Sequence, residues 1–163
     1  VLHWLGKGNV KERANAKYKE GGNFGLLYFA AVNRHYDLMS YLLLNGAAAN
    51  MLNSTGTSML AVACLGNEKM EAVPLLLSWG AEIFDEGKQI TSQEKKLEWL
   101  VVNSDGRNAP IINPVSSELG GRRCEITSAP KPRDNLVGKT CVVDEYIKES
   151  DQYKVRMEFT NEV

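Results

Sequence analysis

The sequence predicts an α+β protein, an α-solenoid of short helix pairs followed by a small antiparallel β unit that forms an incomplete barrel. Three observations carry that prediction. An apolar pattern in residues 23–52 returns about one repeat later. Its spacing is helical. From residue 122 onward the composition shifts toward Val, Thr and Tyr with a period of two.

The repeat is the first element to justify, because a missed repeat miscalls a whole fold. Leu27-Tyr28-Phe29-Ala30-Ala31 aligns with Leu60-Ala61-Val62-Ala63-Cys64 at an offset of 33 residues. Leu42-Leu43-Leu44-Asn45-Gly46-Ala47 aligns with Leu76-Leu77-Ser78-Trp79-Gly80-Ala81 at an offset of 34, so one residue enters near residues 67–72. Leu27, Ala30 and Ala31 give one face of a short inner helix, and their small side chains let a second helix pack closely. Leu38, Met39, Leu42 and Leu43 give the outer helix its stripe. Gly46 stands where that helix must stop, at a left-handed C-cap. Residues 50–56 are turn-rich and suit a hairpin. Met59, Leu60 and Ala63, then Val73, Leu76 and Leu77, then Gly80 repeat the plan, and Pro74 predicts a kink or a late start in the second outer helix.

These residues resemble the ankyrin repeat family. The first unit carries its Leu27, Ala30, Ala31, His35, Asp37, Leu42, Leu43, Gly46, Ala47 and Asn50; the second its Gly56, Leu60, Ala63, Leu76, Leu77, Gly80 and Ala81. Gly25-Leu26 and Ser58-Met59 stand where the family has Thr-Pro, and Tyr28 replaces its histidine. The resemblance implies a non-catalytic protein-protein interaction module, a scaffold or adaptor. It also implies where a partner sits, on hairpin tips and the open face of the inner helices. Carried over by position, that surface is Phe24, Val32, Asn33 and Leu52 in the first unit, and Ser54, Thr55, Thr57 and Leu65 in the second. It implies further that His35 ties the inter-helix loop together.

Flanking elements follow. Leu2, Trp4 and Leu5 ahead of Gly8 read as the tail of an earlier repeat over residues 1–22, with Asn15-Ala16-Lys17 opening its hairpin. The repeats span about 23–52 and 53–86. Leu97, Leu100 and Val101 mark a helix over 91–103, with Thr91 and Glu94 as a capping box, that would close the stack. The stack thus covers residues 1–103. Residues 104–121, rich in Asn, Ser, Gly and Pro, read as a linker. The β unit covers 122–163, with strands at 123–127, 139–147 and 153–159. Its Arg122-Arg123-Cys124-Glu125-Ile126, Leu136-Val137-Gly138-Lys139-Thr140-Cys141-Val142-Val143 and Tyr153-Lys154-Val155 resemble a Src-homology-type or KOW-like small barrel. Such units follow ankyrin repeats in some algal proteins. Three strands close no barrel. That pairing implies an alternative role, a structural subunit of a larger assembly such as an algal organellar or photosynthetic complex.

Composition excludes several functions. The chain has 163 residues, is 44% hydrophobic and 24% charged, and has a net charge of −1. Its basic and acidic residues balance over residues 1–120 and again over 121–163, so it lacks the field that nucleic acid or an anionic membrane requires, and nucleic-acid binding through the β unit, which the KOW likeness implies as a lesser alternative, is disfavoured by charge. Three scattered cysteines, Cys64, Cys124 and Cys141, fit free thiols in an intracellular, reducing compartment, the cytoplasm or an organelle interior such as the chloroplast stroma. The opening at Val1 leaves room for an upstream targeting segment. Two histidines, His3 and His35, supply no zinc-ligand spacing. Gly138-Lys139-Thr140 ends like a phosphate loop, yet Arg133 stands where its first glycine is needed. Asp85-Glu86 and Asp144-Glu145 read as turn or edge charges, Trp79 and Trp99 as packing residues. The expectation is therefore no enzyme, no catalytic residue, no metal, no cofactor and no transmembrane segment.

Overall fold

The structure, a computed structural model, describes residues 8–65, 71–103, 117–128 and 135–158. The expected fold class needs correction. The described residues form a mixed α/β chain of six short helices set among three small antiparallel sheets, and not an ankyrin solenoid. The helices are 5 to 11 residues long. Among the described residues two successive helix pairs form, whereas a solenoid needs about three stacked repeats to bury a continuous core. Hairpins too short to carry any periodicity lie before the first pair and after the second.

Two compact units result, Val1–Ser92 and Gln93–Val163. The first opens with α1 (Val10–Ala14), capped by Asn9, whose Oδ1 accepts from the Glu12 amide at 3.3 Å. A minimal hairpin follows, β1 (Lys17–Tyr18) against β2 (Phe24–Gly25), with a 3-10 turn at Lys19–Gly21 between them. Then come α2 (Leu26–Val32) packed on α3 (Tyr36–Leu44), and α4 (Met59–Leu65) packed on α5 (Ala72–Ser78). A second small hairpin, β3 (Phe84–Asp85) against β4 (Lys88–Gln89), ends the unit. The expected repeat tail at Leu2, Trp4 and Leu5, and His3 with it, lies outside the described residues, as does most of the insertion at 67–72.

The core of this unit is aliphatic. Leu27, Ala30, Met39, Leu42, Leu43, Leu60, Cys64, Val73, Leu76 and Leu77 are all buried. Ala31, Leu38 and Ala63, expected inside, are half-buried. Both outer helices end alike. The amides of Gly46 and Ala47 donate to the Leu43 and Leu42 carbonyls at 3.0 and 2.9 Å, and those of Gly80 and Ala81 to Leu77 and Leu76 at 2.9 and 2.9 Å. This is the double bond of a Schellman motif, which a left-handed residue makes possible. Both glycines are left-handed, φ 84° and 78°. Pro74 is the third residue of α5, inside the first turn, where its missing N–H costs no helical bond. Ser58 caps α4 by accepting from the Ala61 amide at 3.2 Å.

Asparagines brace consecutive segments. Asn15 donates through Nδ2 to the Gly46 carbonyl and accepts from the Ala48 amide, both at 2.8 Å. Asn50 does the same one segment later, to the Gly80 carbonyl at 3.1 Å and from the Glu82 amide at 2.7 Å. Each amide satisfies one donor and one acceptor left over where a helix ends. Asn50→Ala removes both bonds and is expected to cost about 1–3 kcal/mol, since each net hydrogen bond contributes about 0.5–1.5 kcal/mol. Urea unfolding of the two proteins reads that difference. Asn50→Asp keeps the acceptor and loses the donor, and is expected to fall between them.

The second unit holds α6 (Gln93–Asn103) and one sheet, β5 (Arg123–Glu125), β6 (Thr140–Ile147) and β7 (Gln152–Met157), ordered β5-β6-β7 and antiparallel throughout. Helix α6 begins two residues after Thr91, so Thr91 is not its cap. Leu100 is buried, but Val101 points to solvent at 57% exposure, which removes it from the expected stripe. Most of the expected linker, the loop at 129–134 and Phe159 lie outside the described residues. A bulge at Asp144 interrupts the register between β6 and β7. Asp144 Oδ1 then meets Arg156 Nη2 at 3.4 Å, and Arg123 pairs with Glu158. No helix among the described residues is long and apolar enough to cross a membrane.

Candidate protein interface

The first hairpin and the start of α2 build an aromatic edge. Gly22 (φ 81°) and Asn23 (φ 63°) turn the chain so that Phe24 enters β2 opposite Tyr18. Phe24 then lies four residues ahead of Tyr28 and stacks on it, ring centroids 3.6 Å apart and planes 20° from parallel. Tyr28 meets Phe29 edge-on at 5.4 Å and 85°. Such contacts add about 0.5–1.5 kcal/mol beyond area burial and hold the rings in fixed orientations. Along α2, Phe29 and Val32 are one turn apart on a shared face, 40% and 54% exposed.

Across from this edge lies the loop between the helix pairs. Leu52 and Ser58 form an isolated bridge that closes it. Asn53 Oδ1 accepts from the Thr55 amide at 3.0 Å, the Thr57 amide at 2.8 Å and the Thr55 hydroxyl at 2.8 Å. The loop is therefore rigid from within. It is also tied to the first hairpin, because the Ser54 amide donates to the Gly22 carbonyl at 2.9 Å. Lys17 Nζ adds a bond to the Leu52 carbonyl at 3.4 Å.

Between the two loops a small open pocket of about 20 Å³ is lined by Phe24, Tyr28, Met51, Leu52, Thr57 and Met59, among others. Its walls are mostly carbon. Asn23 and Asn53 also line it. A shallow apolar depression with a few polar groups at its edge accepts one side chain of another molecule more readily than a charged metabolite.

The eight residues expected to meet a partner divide into groups. Phe24, Leu52 and Thr57 come together around the pocket. Ser54 and Thr55 are exposed at the adjoining loop tip. Val32 and Asn33 lie at the far end of α2, exposed; the Asn33 side-chain amide donates to the Phe29 carbonyl at 2.7 Å and caps that helix. Leu65 ends α4, and its side chain lies outside the described residues. Tyr28, Phe29 and Met51 were not among the eight. The i, i+4 spacing of Phe24 and Tyr28 was the available signal for the ring stack, and nothing local signals Met51. His35 sits at the N-cap of α3 without a side-chain capping bond, so the loop-tying role does not hold there. Its backbone amide ties the loop instead, donating to the Ala30 carbonyl at 2.8 Å.

The second unit has its own apolar face. Residues paired in register project to one side of a sheet. That side carries Cys124, Cys141 and Met157, then Val143 and Val155, then Tyr146 and Tyr153. Cys141 and Val143 are buried, while Val155, Tyr146 and Tyr153 are exposed. The two tyrosine rings tilt against each other at 5.0 Å. Tyr146 donates to Asp151 Oδ1 at 2.6 Å, and this bond, followed by partial burial and the Asp151 charge, pushes the phenol above its usual range. Gly138-Lys139-Thr140 runs into β6 and not into a helix, so it offers no phosphate cradle.

No protein-family model matches the sequence, and neither curated proteins nor solved structures show a significant match to it.

Proposed function

We propose that the chain is a non-catalytic protein-binding module that seats an apolar side chain of a partner polypeptide in the pocket between its first hairpin and its inter-pair loop. The observation that carries the reading is the Phe24–Tyr28 stack opposite Leu52, continued along α2 by the uncovered Phe29 and Val32. Rigid aromatic groups present large contact area at a low cost in conformational entropy, which is the property that anchors protein interfaces.

Affinity capture with the whole chain, followed by mass spectrometry, identifies the partner. Val32→Asp tests the surface with little risk to the fold, because Val32 is 54% exposed. It places a charge in the contact, and a loss of captured partner of at least tenfold is expected, with an unchanged helical circular dichroism signal. Phe24→Asp and Leu52→Asp are expected to abolish capture. Partner binding unchanged in all three variants would remove this surface from consideration.

A second reading, a structural subunit of a larger assembly, draws on the uncovered Tyr146, Tyr153 and Val155 of the β6–β7 hairpin. Size-exclusion chromatography separates the two. A stable soluble monomer of the isolated chain counts against the subunit reading.

A further inference from the structure

Two of the three cysteines meet across one sheet. Cys124 of β5 stands directly opposite Cys141 of β6. The bonds on either side define their position in the ladder. The Val143 amide donates to the Arg122 carbonyl at 3.0 Å, and the Ile126 amide to the Lys139 carbonyl at 3.0 Å. Bonded pairs alternate along an antiparallel ladder, so Cys124 and Cys141 occupy a bonded position between those two. The α-carbons of such a pair are about 5.5 Å apart, inside the disulfide range of about 4.4–6.8 Å, and closure brings the β-carbons from about 5.5 Å to about 3.5–4.5 Å. Both side chains project to the same face, because facing residues always do. Both thiols are free.

From this placement we infer that Cys124 and Cys141 form an oxidisable dithiol, a modification site that closes into a cross-strand disulfide when a two-electron thiol oxidant such as hydrogen peroxide reaches it. The roles of the two sulfurs differ. Cys124 is half-buried and can be reached from solvent; Cys141 is 3% exposed. Burial, then the neighbouring Cys124, then Glu158 push the Cys141 thiol above its usual range, which keeps it from attacking peroxide first. Cys124 loses its proton, and its sulfur attacks one peroxide oxygen. The O–O bond breaks, the departing hydroxide takes that proton, and the products are a sulfenic acid and one water. Cys141 sulfur then attacks the Cys124 sulfur. The S–O bond breaks, and the departing hydroxide takes the Cys141 proton as a second water. Two thiols are oxidised by two electrons and one peroxide is reduced to two waters.

The consequence is mechanical. The bridge joins β5 to β6 covalently and closes the stretch of chain between Cys124 and Cys141. Cys64 serves as an internal control. It is buried in the first unit, and burial pushes its thiol up to about 12. It stays a thiol under the same treatment.

The test uses the full chain, treated with a small excess of hydrogen peroxide, alkylated after unfolding and mapped by non-reducing digestion. The expected result is a Cys124–Cys141 linked peptide, an intact mass lower by two hydrogens, a single alkylated thiol at Cys64, and full reversal by dithiothreitol. Cys124→Ser removes the attacking sulfur at a half-buried site and is expected to abolish the linkage, leaving Cys141 reduced. Persistence of three alkylatable thiols in the treated wild-type chain overturns the inference. So does oxygen added at Cys124 with no bridge, or a linkage that involves Cys64 or a second chain. Because the wild-type map decides by itself, the inference survives or fails even if a variant does not fold.

Discussion

Leu76→Ala is expected to destabilise the N-terminal unit by about 2–5 kcal/mol, the range for a fully buried leucine truncated to alanine. Leu76 is completely inaccessible to solvent, as is Leu42 at the matching position of the preceding helix pair. Truncation removes its dispersion contacts and leaves a void that short, braced helices are poorly able to close, since each is pinned at its end by a Schellman motif. A small domain is stable by only about 5–15 kcal/mol in total, so the loss is a large share of what holds the unit together. Leu42→Ala is expected to behave alike. Leu44→Ala is the control: Leu44 is 58% exposed, and its truncation is expected to stay within about 0.5 kcal/mol of the parent. Equilibrium denaturation in urea, followed by far-ultraviolet circular dichroism, reads all three. Equal midpoints for Leu76→Ala and Leu44→Ala would contradict the burial that organises the unit.

Gly56→Ala is expected to separate the inter-pair loop from the β3–β4 hairpin. Gly56 has φ 79°, and a β-carbon there would lie 2.8 Å from the Gly87 nitrogen and 3.0 Å from its α-carbon. Two penalties combine. A left-handed non-glycine residue costs about 1–2 kcal/mol. The clash comes on top, and it is with backbone, which cannot rotate aside as a side chain would. The expected total is about 2–4 kcal/mol, taking strained backbone positions at about 1–3 kcal/mol each. Gly138→Ala isolates the first penalty. Gly138 has φ 81° but nothing within 4 Å of where a β-carbon would stand, so only the backbone cost of about 1–2 kcal/mol remains. Hydrogen exchange adds a local reading: amides of residues 84–89 are expected to lose protection in Gly56→Ala and keep it in Gly138→Ala. Equal losses of stability in the two variants would show that the close approach of Gly56 to Gly87 does not matter.

The pocket of the candidate interface depends on that same loop geometry. Its far wall is the segment from Met51 to Thr57, held by Asn53 from inside and by the Ser54–Gly22 bond from the first hairpin. A variant that loosens Gly56 therefore tests the binding surface indirectly. Reduced partner capture by Gly56→Ala, with Phe24 and Leu52 intact, is the expected companion of the stability loss.

Sequence by itself determined the local events that one stretch of chain completes alone. The 33- and 34-residue offsets placed α2 over α4 and α3 over α5; Gly46 and Gly80 placed their ends; Leu42, Leu43, Leu76 and Leu77 identified the buried stripe. Each follows from helical periodicity or from the backbone freedom of glycine, which neighbours in sequence express without help. The architecture was decided by tertiary structure. Two-residue strands such as Phe84–Asp85 carry no period to read, so the two small hairpin sheets of the first unit were invisible, whereas the longer strands of the second showed their alternation. Asn15 and Asn50 found their distant partners 31 and 30 residues away. The pocket joins Phe24 to Met51, and the dithiol joins Cys124 to Cys141, through turns and registers that no local pattern specifies. Such contacts form only when distant segments reduce their exposed apolar area together, and that is a property of the folded chain.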